Sequence, residues 1–220
     1  MNTNNVLDYE KKYHEKIHHS YESDTYFEAK AFAAKYKYFN NVEENAVILD
    51  YGCGFGQNIY LQRNAIGYDV SEYALHFCKI KGVEVTPNLE DIAEQSCDIV
   101  FSSHALEHIP TPKEALENMY NKLKSNGKLI LILPVEEHGK ASFELDENQH
   151  LYCWNFQNIN NVQFAEISTV QLPSRWTMFG VAYRWENIQH LGCLIIFNRY
   201  GGELLSATSY SIHTPQHSII

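Results

Sequence analysis

The stretch Asp50-Tyr51-Gly52-Cys53-Gly54-Phe55-Gly56-Gln57 sets an acid and three alternating glycines directly after an apolar run. Glycine carries no Cβ and takes positive φ cheaply, so such a stretch can turn tightly and bring its backbone close to a ligand. A dinucleotide fingerprint reads G-x-G-x-x-G, with its third glycine packing a helix whose N-terminus faces a pyrophosphate. Here that position is Gln57 and the spacing is G-x-G-x-G, which suits a nucleotide-like ligand without a diphosphate. Asp69 closes the next apolar run, "AIGYD", where a carboxylate can accept both hydroxyls of a ribose. Glycine-rich turns also occur with no ligand, so the loop gains meaning only together with Asp50, Asp69 and a third segment, "SSHALEH".

That third segment carries titratable groups. Histidine changes charge near neutral pH and is the natural residue to remove a proton from an acceptor. Of the eleven histidines, His104 is the best placed, at the tip of an apolar strand. It is read either as a general base or as a residue that only shapes the pocket with its backbone. His104-Ala-Leu-Glu107-His108 is also an H-x-x-E-H string, the pattern of one class of zinc peptidases. A zinc peptidase would leave the glycine loop and Asp69 unexplained; a divalent ion that helps to polarise an acceptor hydroxyl is the less remote metal reading, and the expectation is no metal. Glu107 and His108 read first as scaffold. His150 and Trp154 follow in a polar stretch that could overhang the site or simply pack.

The elements that must position these groups show in the hydrophobic periods. "YFEAKAFAAKYKYF" has helical spacing, with Phe27, Ala31, Ala34 and Tyr38 on one side. "AVILDY", "AIGYDV", "VEV", "CDIVFSS" and "KLILILP" are short apolar runs of the kind buried on both faces of a parallel sheet. Between them, "QNIYLQR" reads as helix-like. "SEYALHFCKIKG" reads as a helix capped by Ser71, with Ala74, Leu75 and Cys78 inward. "TPKEALENMYNKLKSNG" reads as a helix with Pro112 at its start, Leu116, Met119, Tyr120 and Leu123 inward, and Gly127 just past its end. Alternating strand and helix imply an α/β fold, a doubly wound, mostly parallel sheet of about seven strands with helices on both faces.

One domain is expected over residues 1–220: a helical N-terminal cap (1–42), a binding core (43–173), a helical insertion (174–200) and a terminal strand (203–212). Within the core, a helix is expected at "NFQNINNVQ" and a strand at "FAEISTVQL". Hydrophobic residues at 45% and charged residues at 20% are ordinary for a globular protein, and no apolar run approaches the roughly 20 residues that span a bilayer. The N-terminus lacks the basic-then-apolar order of a signal peptide, which favours a cytoplasmic protein. Five scattered cysteines without a C-x-x-C pair suggest neither disulfide framework nor thiolate zinc site. A net charge of -10 disfavours a nucleic-acid face, so the expected partner is a small molecule, with no nucleic acid or membrane. A homodimer is left open.

"VILDYGCGFG", "GYDVS", "CDIVFSSHALEHI" and "LKSNGKLILILP" together resemble the class I (Rossmann-like) S-adenosylmethionine-dependent methyltransferases of the small-molecule type. The likeness covers roughly residues 45 to 135, with a weaker match at "NQHLYCWNFQNINNV". It implies an enzyme that moves a methyl group from S-adenosylmethionine to an O or N atom of a small-molecule or sugar-containing acceptor, leaving S-adenosylhomocysteine. It further implies cofactor contacts at Asp50, Tyr51, Gly52, Cys53, Gly54, Gly56 and Gln57, with Asp50 anchoring the loop through backbone amides. Asp69 would hold the ribose, Val70 would pack on the adenine, Asn88 and Leu89 would meet its edge, and Ser103 and His104 would complete the pocket. His104, His108 and His150 are the candidate catalytic residues. The family usually has an acid where this chain has Asn88. Tyr9, Tyr13, Tyr21 and Tyr26 either close over a sulfonium as an aromatic lid or pack as an ordinary amphipathic face. The alternatives from other classes are an NAD-dependent oxidoreductase, disfavoured by Gln57, and a cofactor-binding protein without catalysis.

Overall fold

The computed structural model describes residues 23–40, 42–135, 150–154, 178–184 and 191–198. Helix α1 (Asp24–Tyr38) leads into β1 (Ile48–Tyr51) and β2 (Ala65–Tyr68), then α2 (Glu72–Lys81), β3 (Val85–Thr86) and β4 (Cys97–Ser103). Helix α3 (Pro112–Lys122), β5 (Leu123–Val135), β6 (Met178–Arg184) and β7 (Leu191–Asn198) complete it. The strands form one seven-stranded sheet in the order β3-β2-β1-β4-β5-β7-β6. The first five are parallel, and β7 runs antiparallel to both β5 and β6. This is the expected doubly wound α/β fold. Among the described residues no helix is long and apolar enough to cross a membrane.

Alternation along the central strands explains why they are apolar throughout. Leu49 and Tyr51 of β1, Val100 of β4, and Leu129, Leu131 and Leu133 of β5 pack with Ala115 and Met119 of α3. Their sequence neighbours Ile48, Ile99, Phe101, Ile130 and Ile132 form a second cluster with Phe39 and Cys78. Successive side chains of a strand point to opposite faces, so each run feeds two cores at once. Cutting Leu131, fully buried, back to alanine would cost about 2–5 kcal/mol.

Local signals set α2 as expected. Ser71 Oγ accepts from Ala74 N at 3.2 Å, Ala74, Leu75 and Cys78 are buried, and Gly82 ends the helix in the left-handed region. Phe27, Ala31 and Ala34 form the buried stripe of α1.

Three expectations are corrected. No helix follows the glycine loop at "QNIYLQR": the amides of Gly56, Ile59 and Gln62 each bond three residues back, to Cys53, Gly56 and Ile59, a chain of turns. Parallel strands need a crossover of a dozen residues or more, and the short span between Tyr51 and Ala65 is consumed in reaching the next strand. Helix α3 stops at Lys122, before Gly127, because Leu123 turns extended and pairs with Cys97 in the sheet, where it is fully buried. Lys122 pins that stop, donating to the Ile92 carbonyl at 2.8 Å and to Glu94. The helical insertion expected at 174–200 is instead, in its described part, the antiparallel pair β6 and β7. Two apolar runs around a polar "WENIQH" satisfy the edge of β5 better as strands than as a helix. The terminal strand expected at 203–212, residues 1–22 of the cap, and the helix and strand expected between 155 and 172 lie outside the described residues.

Candidate functional site

The carboxyl edge of the sheet gathers the glycine loop from β1, Asp69 from β2 and the His104 segment from β4. Gly52 N and Cys53 N both donate to the Tyr68 carbonyl, at 2.8 and 3.0 Å, so the loop starts by folding over β2. The three glycines then serve different ends. A Cβ on Gly52 would stand 2.4 Å from the Ala105 Cβ, and one on Gly56 would meet Val83 and Cys78. These two are bare so that neighbouring elements can close on the loop. A Cβ on Gly54, at φ +52°, would have nothing within 4 Å. Gly54 alone faces open space, where a ligand has room to approach.

Gly54 is held by Asp69, whose Oδ2 accepts from Gly54 N at 2.8 Å while Oδ1 accepts from Ser71 N at 2.9 Å. The loop anchor is therefore Asp69 rather than Asp50. Burial raises the Asp69 pKa, against the pull of the Ser71, Gly54 and Val70 amides. Asp50 is fully buried in β1, and neither of its carboxylate oxygens makes a hydrogen bond. Burial first, and the nearby Asp69 charge second, push its pKa up to about 8, with Asn58 opposing from outside hydrogen-bond geometry. Gln57 Oε1 is a further buried acceptor without a partner beside the loop. Tyr51 and Cys53 are buried. Cys78 Sγ donates to the Gly54 carbonyl at 3.1 Å, and burial and Cys78 together raise the Cys53 thiol, with Cys78 the larger cause.

Around the loop, Val70 is 73% exposed and offers an apolar surface beside Asp69. Asn88 is an exposed turn residue whose amide donates to Thr86 Oγ1 at 3.0 Å, and the Leu89 side chain packs on the core. Ser103 is half-buried at the end of β4, and its neighbour Ser102 ties β4 to β1, donating from Oγ to the Tyr51 carbonyl at 2.8 Å.

His104 leaves β4 with φ +53°, and its amide donates to the Ile132 carbonyl. A left-handed conformation is uncommon for residues other than glycine and tends to persist where surrounding structure imposes it. It turns the chain into a short 3-10 segment, Leu106–His108. Glu107 is fully buried there, and neither carboxylate oxygen makes a hydrogen bond. Its Oε1 lies 3.4 Å from His104 Nδ1 and 4.0 Å from His150 Nε2. The His108 and His150 rings meet edge to face at 5.0 Å. The segment 150–154 is docked on this turn, with Leu151 N and Tyr152 N donating to the Glu107 carbonyl and Tyr152 Oη to the Pro110 carbonyl. Trp154 is buried in the core beneath. The three candidate histidines are thus brought around Glu107, a residue read as scaffold from sequence. The H-x-x-E-H string was its only local signal, because His150 joins the cluster through the fold. Of the cap tyrosines, Tyr26 is exposed, and Tyr9, Tyr13 and Tyr21 lie outside the described residues.

Comparison with known proteins accords with this geometry. Residues 49–131 match the family described as "Methyltransferase domain". The chain is 33% identical over 136 residues to a tRNA U34 carboxymethyltransferase of Pseudoalteromonas atlantica, and the match spans 55% of this chain but only 40% of that protein. A SAM-dependent methyltransferase from Thermotoga maritima, described as a possible histamine N-methyltransferase, superposes with a TM-score of 0.60 at 15% identity, covering 86% of this chain and 99% of that one. Phosphoethanolamine N-methyltransferase 2 of Haemonchus contortus, in complex with S-adenosyl-L-methionine, gives 0.55 at 16% identity, covering 79% and 53%. Residues 49–131, which run from β1 to β5, thus match a methyltransferase domain, and the sheet that carries the bare glycine loop at its carboxyl edge has the Rossmann-like fold of solved S-adenosylmethionine-dependent methyltransferases.

Proposed function

We propose that the chain is an enzyme that moves a methyl group from S-adenosylmethionine to an oxygen or nitrogen of a small-molecule or sugar-containing acceptor. The observation that carries this is Gly54, the one loop glycine facing open space, between an unpartnered Asp50 and a loop-anchoring Asp69. A carboxylate has about four lone-pair sites, so Asp69 keeps capacity for ribose hydroxyls beyond its two amide bonds. Val70 supplies an apolar surface for a base. The bound cofactor contributes an electrophilic methyl carbon on a sulfonium. The protein's part in an in-line displacement is alignment and proton removal. His104, with its side chain 53% exposed at the tip of β4, is the residue assigned to the acceptor's proton.

A nicotinamide cofactor is disfavoured on two grounds. Gln57 stands where the third glycine belongs, and the turns after the loop provide no helix N-terminus to face a pyrophosphate. An RNA acceptor is the second reading, favoured by the name of the Pseudoalteromonas relative and opposed by the net charge of -10. The thiols of Cys53, Cys78 and Cys97 fit a reducing cytoplasm, and a homodimer is compatible with the reading.

Thermal shift against S-adenosylmethionine, S-adenosylhomocysteine and NAD tests the proposal, since a ligand that binds only the native state raises apparent stability. The first two should raise the melting temperature and NAD should not. A shift with NAD alone overturns the reading.

A further inference from the structure

We propose that Glu107, His108 and His150 form a site for one first-row divalent cation in the turn that adjoins the glycine loop. One ligand atom from each residue lies within 4.8 Å of the others. Two of the three come from the turn after β4 and the third from the docked segment 150–154, so the fold assembles the set.

The second observation is the state of Glu107. A carboxylate removed from water costs a great deal unless something positive or hydrogen-donating meets it, and both oxygens of Glu107 are buried with no hydrogen-bond partner. The imidazoles around it stand at the wrong distance for that duty. Charge-assisted N–H···O bonds run at about 2.7–2.9 Å, whereas Oε1 is 3.4 Å from His104 Nδ1 and 4.0 Å from His150 Nε2. Atoms that share one ion, each bonded at about 2.0–2.2 Å, are separated by roughly 3.3 Å in a tetrahedron and 4.2 Å across an octahedron. Within the set, the 4.0 Å from Glu107 Oε1 to His150 Nε2 falls in that range, and small side-chain rotations bring the three ligand atoms, all within 4.8 Å of one another, onto one ion.

Donor chemistry selects the ion. Two imidazoles and one carboxylate suit Zn²⁺, Co²⁺, Fe²⁺ or Mn²⁺ better than Mg²⁺ or Ca²⁺, which take oxygen donors. Three protein ligands leave a coordination position open, as in catalytic rather than structural zinc sites. The Glu107 turn adjoins the glycine loop through Ala105, which meets Gly52, so an ion here could polarise an acceptor hydroxyl. That use rests on the methyltransferase reading. The ion site itself does not.

The test is a titration of metal-stripped full-length protein with Co²⁺ and Zn²⁺, read by the visible Co²⁺ absorption and by calorimetry, with S-adenosylhomocysteine affinity measured on the same samples. Expected are one Co²⁺ per chain, displaced by Zn²⁺ but not by Mg²⁺, and loss of the band in His150→Ala, His108→Ala and Glu107→Gln. His104→Asn should retain it. The His150 variant is the guard against misfolding, because circular dichroism and S-adenosylhomocysteine affinity should stay near wild type. Failure of the wild type to bind Co²⁺, or a band unchanged in the His108 and His150 variants, overturns the site. Ion binding without S-adenosylhomocysteine binding would overturn the methyltransferase proposal and leave the site standing.

Discussion

The amide of Gly54 donates to Oδ2 of Asp69 at 2.8 Å, so the loop residue that faces open space is held by the acid that ends the neighbouring strand. One side chain therefore sets the loop's position and is proposed to meet the ribose. Asp69→Ala should weaken S-adenosylhomocysteine binding by at least about tenfold, since hydrogen bonds to charged groups contribute about 1.5–3 kcal/mol. Calorimetry reads this directly, and an unchanged Kd would remove Asp69 from the site.

The glycines should separate by experiment. Gly52→Ala drives a methyl to 2.4 Å from the Ala105 Cβ at φ +75° and should cost about 3 kcal/mol, combining overpacking with left-handed strain. Gly54→Ala meets no neighbour and should cost only about 1 kcal/mol while impairing cofactor binding. Chemical denaturation beside calorimetry distinguishes them. Equal destabilisation would deny Gly54 its open face.

Asp50 gives a pH signature. Its folded pKa is pushed up to about 8, whereas an unfolded aspartate titrates near 3.9. The folded chain binds this proton more tightly, so the group's contribution to stability is full below about pH 4 and is lost as pH rises toward 8. Asp50→Asn resembles the protonated form. Its melting temperature relative to wild type, without cofactor, should climb by on the order of ten degrees between those limits. A difference that is flat with pH, or that falls, would contradict the burial argument.

His104 calls for a variant that keeps its backbone. Asparagine tolerates φ near +53° better than most residues, so His104→Asn isolates the imidazole. Turnover should fall about a hundredfold, the range of a lost proton acceptor, with S-adenosylhomocysteine affinity little changed. Loss of affinity matching the loss of turnover would make His104 a pocket residue only.

The helix at Ser71 offers a control away from the chemistry. Removing the cap with Ser71→Ala should cost about 1 kcal/mol and leave turnover at saturating cofactor near wild type. Thermal denaturation with an activity assay reads both.

Whatever acts over a few residues was legible in the chain before it folded. The apolar runs of β1, β4 and β5, the Ser71 cap and the close turn at the glycines all depend on local backbone geometry and burial patterning, and all are found in the fold. Where a local preference competed with a distant partner, the partner won. Leu123 had helical spacing yet left its helix to pair with Cys97. Strand β7 joined the open side of β5 and β6 paired with β7, and "QNIYLQR" gave up its helix to the short reach between β1 and β2. The division of labour at the site was likewise tertiary. Asp50 and Asp69 look alike as acids at strand ends, and only the folded loop shows which one receives the Gly54 amide. Glu107 and His150 are far apart in the chain, and no local propensity records their 4.0 Å approach. It arises because Leu151 and Tyr152 find the Glu107 carbonyl as the acceptor for their amides, and a backbone donor leaving water must find such a partner somewhere in the fold.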